Sequence, residues 1–301
     1  MTLPASGPLS LANVNTEIGV ATTTLISLND SIVRGMAGIS SGAITINNLY
    51  GKSKAWTGTL TISANTQNYN IQTAAQAAGW NGTLAANVTV VVNSGVYVGA
   101  STTANYGITT GTFPAGSSIT IVNNGYIVGC GGKGGNGAPT NVVAQSGAVG
   151  GAAINMGYPV TITNNGYILG GGGGGGGGGF STYTQGEDTL DQYGGGGGGG
   201  AGYTGGAGGT TGGGGTGGAA GGLGTATGTG GGGAGRSAAT LNAGGAGGAW
   251  GTNGAAGVRN ISYAAAGAGG VAGNSVKKNG FTLVWGGTNG SSTTYVKGTV
   301  V

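Results

Sequence analysis

The sequence contains no histidine, and only 5% of its 301 residues are charged. Histidine is a frequent general base and the commonest metal ligand near neutral pH. The five carboxylates are Glu17, Asp30, Glu187, Asp188 and Asp191. Only the last three are close enough in sequence to form a catalytic pair. We therefore expect a protein with no enzymatic activity, no cofactor and no metal ion.

Cysteine, long apolar runs and clustered basic residues are also scarce. Cys130 is the single cysteine, which excludes an intrachain disulfide. A second copy of its motif has glycine at that position, so we expect Cys130 to be a small side chain in a tight place. The longest apolar runs, such as Val88 to Val92, are far shorter than the roughly 18 residues that a membrane span needs. Residues 1–4 begin no basic segment followed by an apolar core, so we expect no signal peptide. Lys277 and Lys278 form the only adjacent basic pair, which argues against nucleic-acid binding.

Glycine dominates the chain instead, with 80 residues. An unbroken run from Gly170 to Gly179 is followed by an insert from Phe180 to Tyr193 and by a second run from Gly194 to Gly200. Ordering each residue costs about 1–2 kcal/mol, and glycine buries no side chain to offset that cost. Such a run is therefore either a flexible coil or an ordered segment whose N–H and C=O groups bind neighbouring segments.

The residues between the glycine blocks favour the ordered alternative. They are mostly Ala, Thr, Leu, Tyr and Trp, whereas disordered linkers are rich in Ser, Gln, Lys and Glu. Glycine can adopt the extended helix of polyproline II type, with three residues per turn and a rise of about 3.1 Å. Its backbone groups then point outward and can bind in several directions. The sequence predicts a packed bundle, or sandwich, of polyglycine II helices.

An internal repeat indicates β-structure before and between the glycine blocks. The segments 119–129 (ITIVNNGYIVG) and 160–170 (VTITNNGYILG) match closely, and 90–99 (VVVNSGVYVG) is a looser copy. Their Asn-Gly pairs, at 124–125 and 165–166, predict β-hairpins with type I′ turns. The expected fold is mainly β and irregular, with a β-rich domain at 55–128 and a glycine-rich domain at 129–301 that closes with a strand segment. Within the β-rich domain, Asn70 is predicted to cap a short helix from Ile71 to Ala78.

Residues 1–54, here called the leader, differ from the rest of the chain, and three short helices are predicted there from capping residues. The predicted N-caps are Ser10, then Ser27 or Asn29, and then Ser41. The predicted ends are at Gly19, near Gly38 and at Gly51. Because each helix is too short to be stable alone, we expect it to need a partner surface, from trimer mates or from another protein. The apolar residues expected to serve attachment are Leu11, Val14, Ile18, Leu28, Ile32, Val33, Ile44, Leu49 and Tyr50.

The insert 180–193 is the best candidate for a binding site. Rigid aromatic residues beside adaptable polar groups are typical of recognition loops. The alternative is a spacer loop with no binding role. If the insert joins antiparallel glycine rods, it lies at one end of the bundle, where the inserts 136–146, 236–242 and 258–266 are candidates to join it. The residues expected to bind are Phe180, Tyr183, Glu187, Asp188, Leu190, Asp191 and Tyr193.

The motifs NNGYIVGCGGKGGNG (123–137) and NNGYILGGGGGGGGGG (164–179) resemble those of the distal adhesins that cap the long tail fibres of T-even-type bacteriophages. The resemblance covers roughly residues 85–301. It implies a sandwich of polyglycine II helices whose loops bind an outer-membrane protein or a surface glycan of the bacterial host.

The segment 11–53 resembles a stretch near the start of various phage tail and virion proteins, which implies attachment to the particle. In the T-even pattern the adhesin docks onto a separate fibre protein, so this segment departs from it. We expect a phage tail adhesin, made in the host cytoplasm and placed at the tail tip or fibre, with other tail proteins as partners and a homotrimer as a further hypothesis. The alternative is a structural connector or plug of the tail that makes no receptor contact.

Overall fold

The computed structural model describes residues 2–213, 242–259 and 264–301. Within these residues the chain is mainly β with a few short helices, as expected for the β-rich class. It divides into two compact units: the first comprises Met1–Gly58, Ala75–Val88 and Phe113–Ser118, and the second comprises Thr59–Ala74, Thr89–Thr112 and Ile119–Val301. The division into domains at residues 54 and 128 stays a prediction.

The first unit begins with short helices whose ends follow local capping. Helix α1 (Leu11–Ile18) starts after Ser10, whose hydroxyl accepts the N–H of Asn13 at 3.3 Å, and ends at Gly19 with φ 82°. Glycine tolerates this left-handed conformation, as helix C-termini often require. Both ends of α1 agree with the sequence prediction.

The next two predicted helices begin later than expected. Helix α2 (Ser31–Ala37) follows Asp30, because the Asp30 carboxylate accepts the N–H of Ser27 at 2.8 Å and closes a turn before the helix. The third is only a 3₁₀ helix, Ile46–Leu49, which follows Thr45 and not Ser41. Asn48 accepts the N–H of Thr45 at 2.8 Å and fixes that start. The caps proposed at Ser27, Asn29 and Ser41 were therefore wrong.

The apolar residues of the leader pack against one another, which corrects the expectation that each helix needs a partner outside the leader. The buried core of this segment consists of Leu3, Val14, Ile18, Val33, Ala37 and Leu49. Burying one such side chain contributes about 1.5–3 kcal/mol. Together these residues stabilise helices that would be marginal in isolation.

Successive strands along the chain belong in turn to the first, second and third of three parallel sheets. The first sheet contains, in spatial order, β1 (Trp56–Ile62), β4 (Ala86–Val92), β7 (Ser118–Asn123), β10 (Val160–Asn164) and β15 (Leu283–Gly286). The second contains β2 (Thr66–Gln67), β5 (Tyr97–Gly99), β8 (Tyr126–Val128), β11 (Tyr167–Leu169) and β16 (Val296–Lys297). The third contains β3 (Tyr69–Asn70), β6 (Ile108–Thr109), β9 (Ile154–Asn155) and β14 (Val276–Lys277).

Two further elements complete the description of the ordered segments. Helix α3 (Ile71–Ala77) follows β3, and the side chain of Asn70 accepts the N–H of Thr73 at 3.1 Å, as the sequence predicted. Strands β12 (Ser181–Gln185) and β13 (Asp188–Gln192) form an antiparallel pair apart from the parallel sheets. None of the helices among the described residues has the length and apolar character of a membrane span.

The Asn-Gly pairs are corners between sheets, and the predicted type I′ hairpins are wrong. Strands β7 and β8 enter different sheets, and β7 pairs in parallel with β10, with Ile121 opposite Ile162. The repeats therefore stack on one another as successive coils. Glycine is required at the corner because a Cβ on Gly166 would lie 2.1 Å from the carbonyl oxygen of Gly125 in the preceding coil. Close approach of two backbones explains the motif, and positive φ does not.

Side-chain ladders run through the stacked coils. The side chain of Asn123 donates to that of Asn164 at 2.9 Å, and both are fully buried. On the second sheet the rings of Tyr97, Tyr126 and Tyr167 stack with centroids 4.3 and 5.0 Å apart. Each buried amide has a partner in the next coil, so the polar groups inside the coil are satisfied.

The glycine-rich stretches leave the coils between the second and third sheets. One stretch, residues 129–153, lies between β8 and β9, and the other, residues 170–275, lies between β11 and β14. Both start directly after a short buried strand of the second sheet. The parallel coils thus fix the first residues of each glycine stretch.

Candidate functional site

The central feature of the glycine-rich part is the segment Gly170–Gly179, here called the central segment. Its N–H groups donate with a period of three residues to three neighbouring segments, at distances between 2.8 and 3.0 Å. The donors and their targets are Gly171, Gly174 and Gly177 to segment 145–151, Gly172, Gly175 and Gly178 to segment 195–201, and Gly173, Gly176 and Gly179 to segment 252–258.

The carbonyl groups of the central segment face three other segments. The oxygens of residues 170–178 accept N–H groups from segments 132–138, 245–251 and 267–273, at distances between 2.7 and 2.9 Å. Every backbone donor and acceptor from Gly171 to Gly178 is therefore bonded to a neighbouring segment. Complete pairing removes the desolvation penalty that a buried bare backbone would otherwise carry.

No side chain fits in the central segment. A Cβ added at any residue from Gly171 to Gly178 would lie 1.8 to 2.0 Å from a carbonyl oxygen of a neighbouring segment. Glycine alone permits this distance between backbones. The unbroken run in the sequence is thus a packing requirement of the interior.

The insert after the central segment is a β-hairpin and not an irregular loop. Strands β12 and β13 pair from Ser181 with Gln192 to Gln185 with Asp188. Gly186 has φ 68° and forms the two-residue turn with Glu187. Glycine in that position is typical of tight hairpins, whose twist matches the flanking strands.

An apolar cluster anchors the base of the hairpin. Phe180 is only 1% exposed and packs with Ala138, Ala144 and Ala264. The ring of Tyr193 lies 5.7 Å from the Phe180 ring, in a tilted arrangement that aromatic pairs favour. Phe180 is thus enclosed by the ends of glycine-rich segments and has no exposed surface to offer a partner.

The other predicted binding residues lie farther along the hairpin. Glu187, Asp188 and Asp191 are exposed, and Leu190 is half-buried. Tyr183 is the register partner of Leu190 in the strand pair. The structure therefore places the three carboxylates on one exposed hairpin, apart from the buried Phe180 at its base.

A second exposed element lies beside the hairpin base. Residues 139–143 form a turn in which the N–H of Val142 donates to the carbonyl of Pro139 at 3.2 Å. Val142 and Val143 are 55% and 60% exposed, whereas the flanking Ala138 and Ala144 are buried against Phe180. We refer to the hairpin 181–192 and the turn 139–143 together as the tip.

The structure brings several of the predicted inserts to this end of the glycine-rich segments. The insert 136–146 contributes the turn, and Ala264 of the insert 258–266 forms an antiparallel bridge with Phe180. Residues 260–263 lie outside the described residues, as does the insert 236–242 except for Asn242. The glycine blocks near Gly221 and Gly230 also lie outside the described residues.

A buried polar cluster under the hairpin was missed by the sequence analysis. The Asn242 side-chain amide donates to the Ser181 hydroxyl at 2.7 Å and to the Gln192 carbonyl at 3.3 Å. The Ser181 hydroxyl donates in turn to the Gln192 side chain at 3.2 Å. Asn242 has φ 58° and is fully buried. Asparagine's tolerance of left-handed backbone is a weak signal in a sequence that contains many asparagines.

The leader residues predicted for attachment divide into two groups. Val14, Ile18, Val33 and Leu49 lie in the leader's own core, and Leu28, Ile44 and Tyr50 are half-buried. Leu11 and Ile32 are each 42% exposed. Leu25, which is not among the residues predicted from the sequence, is 98% exposed.

Cys130 is a buried small residue beside the start of a glycine-rich segment. Its thiol lies 3.2 Å from the carbonyl oxygen of Thr204. Desolvation by burial raises the pKa of the Cys130 thiol to about 11. The thiol is therefore protonated at neutral pH, which disfavours nucleophilic chemistry there.

Comparison with known proteins connects this architecture to phage tails. A family model described as "Phage tail fibre adhesin Gp38" matches residues 57–301. The fold is similar to the crystal structure of the gp37–gp38 adhesin tip complex of the bacteriophage S16 long tail fibre, with 21% identity and a TM-score of 0.55, covering 99% of this chain and 100% of that chain. A search of curated proteins found no match.

These findings define the protein as a component of a bacteriophage tail fibre, located in the virion tail. The stacked coils and the glycine-rich segments both lie in the part that the family model matches. The chain belongs to the Gp38 family of phage tail fibre adhesins.

Proposed function

We propose that this protein binds a receptor on the host bacterial surface, an outer-membrane protein or a glycan, through the tip. The observation that carries the proposal is the complete hydrogen bonding of the central segment, which leads directly into the hairpin. A binding element held on an ordered base loses less conformational entropy on association. The exposed carboxylates and the two exposed valines then provide polar and apolar contacts.

We propose further that the glycine-rich segments are polyglycine II helices packed as a rigid scaffold. Support comes from the hydrogen bonds of the central segment, in which every third N–H group donates to the same neighbouring segment. A helix with three residues per turn directs every third N–H to the same side. Bonds in six directions restrain the segment from all sides.

For residues 1–54 we propose attachment to another tail fibre protein. The S16 structure is by its title a complex of gp37 with gp38, and the leader carries exposed apolar residues that its own core leaves uncovered. These are Leu11, Val20, Leu25 and Ile32. The protein acts by binding alone, without turnover, and a homotrimer through the leader stays a prediction.

Replacement of Ser181–Gln192 by a short Gly-Ser turn tests the receptor assignment. Phe180 and Tyr193 are retained so that the apolar cluster stays filled. Purified variant and wild-type proteins compete with phage for adsorption to host cells on which the phage forms plaques. The variant should lose competition, while slow amide exchange of Gly171–Gly178 reports an intact scaffold.

The same experiment separates the adhesin from the alternative of a structural connector. A connector would bind no receptor, so neither the wild-type protein nor the variant would compete with phage, and an antibody against the hairpin would fail to reach it in intact particles. Undiminished competition by the variant would refute the receptor assignment. The Val149→Ser variant, at a 56% exposed position on a glycine-rich segment away from the tip, serves as the control and should compete normally.

A further inference from the structure

The buried amide of Asn242 joins both strands of the hairpin at their base. Its Nδ2 donates to the Ser181 hydroxyl on β12 and to the Gln192 main-chain carbonyl on β13. Ser181 and Gln192 are register partners, 4% and 9% exposed, so the amide lies beneath the first pair of the hairpin. A single side chain thus contacts both strands where they leave the scaffold.

The backbone of Asn242 also ties this contact to the scaffold. Its carbonyl accepts the N–H of Gly195 at 2.9 Å, in the segment that follows the hairpin. With its left-handed φ of 58°, the backbone at Asn242 departs from an extended conformation. Asn242 therefore links the hairpin base to two glycine-rich segments, those at 195–201 and 245–251.

The two faces of the hairpin base are held by different side chains. Phe180 and Tyr193 immediately precede and follow the pair Ser181 and Gln192. Successive side chains of a strand point to opposite faces, so the aromatic pair and the polar pair hold opposite faces of the hairpin. Removal of the Asn242 amide would therefore take away a side-chain restraint that the aromatic pair does not replace.

We propose that Asn242 is a positioning residue for receptor recognition, because its amide fixes the direction in which the hairpin leaves the scaffold. The inference rests on the proposed receptor role of the hairpin. Asn242 itself does not contact the receptor and acts through Ser181 and Gln192.

The test compares Asn242→Gly with Asn68→Gly. Glycine keeps the left-handed backbone and removes only the side chain. Asn68 is the control for the change of a left-handed asparagine to glycine, because it has φ 53° and its Nδ2 donates to the Ser101 hydroxyl at 2.8 Å, at an exposed position of the stacked coils. Hydrogen exchange of the hairpin amides and of Gly171–Gly178 is measured, together with competition for phage adsorption to host cells.

Asn242→Gly should accelerate exchange of the hairpin amides about tenfold or more while the central segment stays protected, since a buried hydrogen-bonded pair is lost. Competition should fall by a similar factor. Asn68→Gly should leave both unchanged. Unchanged exchange of the hairpin in Asn242→Gly would overturn the inference.

Two further outcomes keep the proposal distinct from the receptor assignment. Faster hairpin exchange with undiminished competition would leave the restraint by Asn242 standing and would contradict the receptor role of the hairpin. If Asn242→Gly fails to fold, Ser181→Ala and Ser181→Thr replace it. Ser181→Ala removes the acceptor and should reproduce the loss, whereas Ser181→Thr keeps a hydroxyl and should restore both readouts. Equal behaviour of the two serine variants would overturn the inference.

Discussion

At the scale of single residues, two kinds of glycine have different physical roles. Gly186 and Gly19 have φ of 68° and 82° and end or reverse an element. Glycines of the central segment are required because a neighbouring backbone occupies the space of a Cβ. The first kind is recognisable from local sequence, whereas the second depends on segments far away in the chain.

Gly175→Ala should destabilise the second unit by about 3 kcal/mol or more, because overpacking against a rigid backbone cannot be relieved by a side-chain rotation. The Cβ would lie 2.0 Å from the carbonyl oxygen of Gly245. Chemical denaturation followed by circular dichroism measures the loss. Gly286→Ala is the control, because its nearest neighbouring atom would be 3.9 Å away. Equal stability of the two variants would contradict close packing around Gly175.

At the scale of elements, the leader shows how short helices become stable together. Two of the three predicted N-caps were wrong, yet the glycines that end α1 and α2 were identified correctly. The helices pack on a shared core that includes Val14, Val33 and Leu49. Helix ends follow local hydrogen bonds, whereas the partner surface follows from the packing of the whole leader.

Leu25→Ser should weaken assembly with the partner fibre protein by about tenfold or more, while leaving the unfolding free energy within about 0.5 kcal/mol of wild type. The residue is 98% exposed and contributes little to the leader's own core. Leu49→Ala is the contrasting variant, because Leu49 is fully buried, and it should cost about 2–5 kcal/mol. Co-purification with the fibre protein and thermal unfolding distinguish the two effects. Normal assembly of Leu25→Ser would argue against attachment through this exposed residue.

The parallel strands illustrate a wrong prediction with a clear cause. An Asn-Gly pair between alternating apolar segments favours a hairpin when the two segments can pair with each other. Here β7 instead pairs with β10, and β8 pairs with β11, because the repeated motifs match in register. The competing signal was the repeat itself, which indicates stacking of similar units.

At the scale of the whole molecule, the two compact units are built on different principles. The leader in the first unit has an ordinary side-chain core, whereas the glycine-rich part of the second unit is held by backbone hydrogen bonds. The central segment binds segments 132–138 and 145–151 before it in the chain and four segments after it, the last at 267–273. Its surroundings are therefore complete only when distant parts of the chain have come together.

The amides of Gly171–Gly178 should exchange with solvent hydrogen only through cooperative opening of the second unit. Their acceptors lie in three segments from different parts of the chain, 145–151, 195–201 and 252–258, and these must separate before the N–H groups are exposed. Exchange measured with and without low concentrations of denaturant gives the opening free energy, which should approach that of global unfolding. The exposed hairpin turn at Gly186 and Glu187 provides the rapidly exchanging reference. Exchange of the central segment at the rate of that turn would contradict an ordered scaffold.

Sequence alone established the features that depend on neighbours along the chain. The glycine ends of α1 and α2, the cap of α3 at Asn70, the small buried environment of Cys130 and the membership of the adhesin family could all be predicted. The insert 180–193 was recognised as a unit because its composition differs abruptly from the glycine runs on either side.

The fold of the chain in three dimensions determined which segments surround the central glycines, which face of the hairpin is buried, and why Asn242 contacts Ser181. These features depend on backbones far apart in sequence, and the glycine runs carry no side chains to indicate their partners. Phe180 was expected to bind a receptor and is instead buried at the hairpin base, because the ends of three glycine-rich segments close around its ring. Composition indicates that a backbone can be packed closely, but the neighbours that pack against it are fixed only when the chain folds.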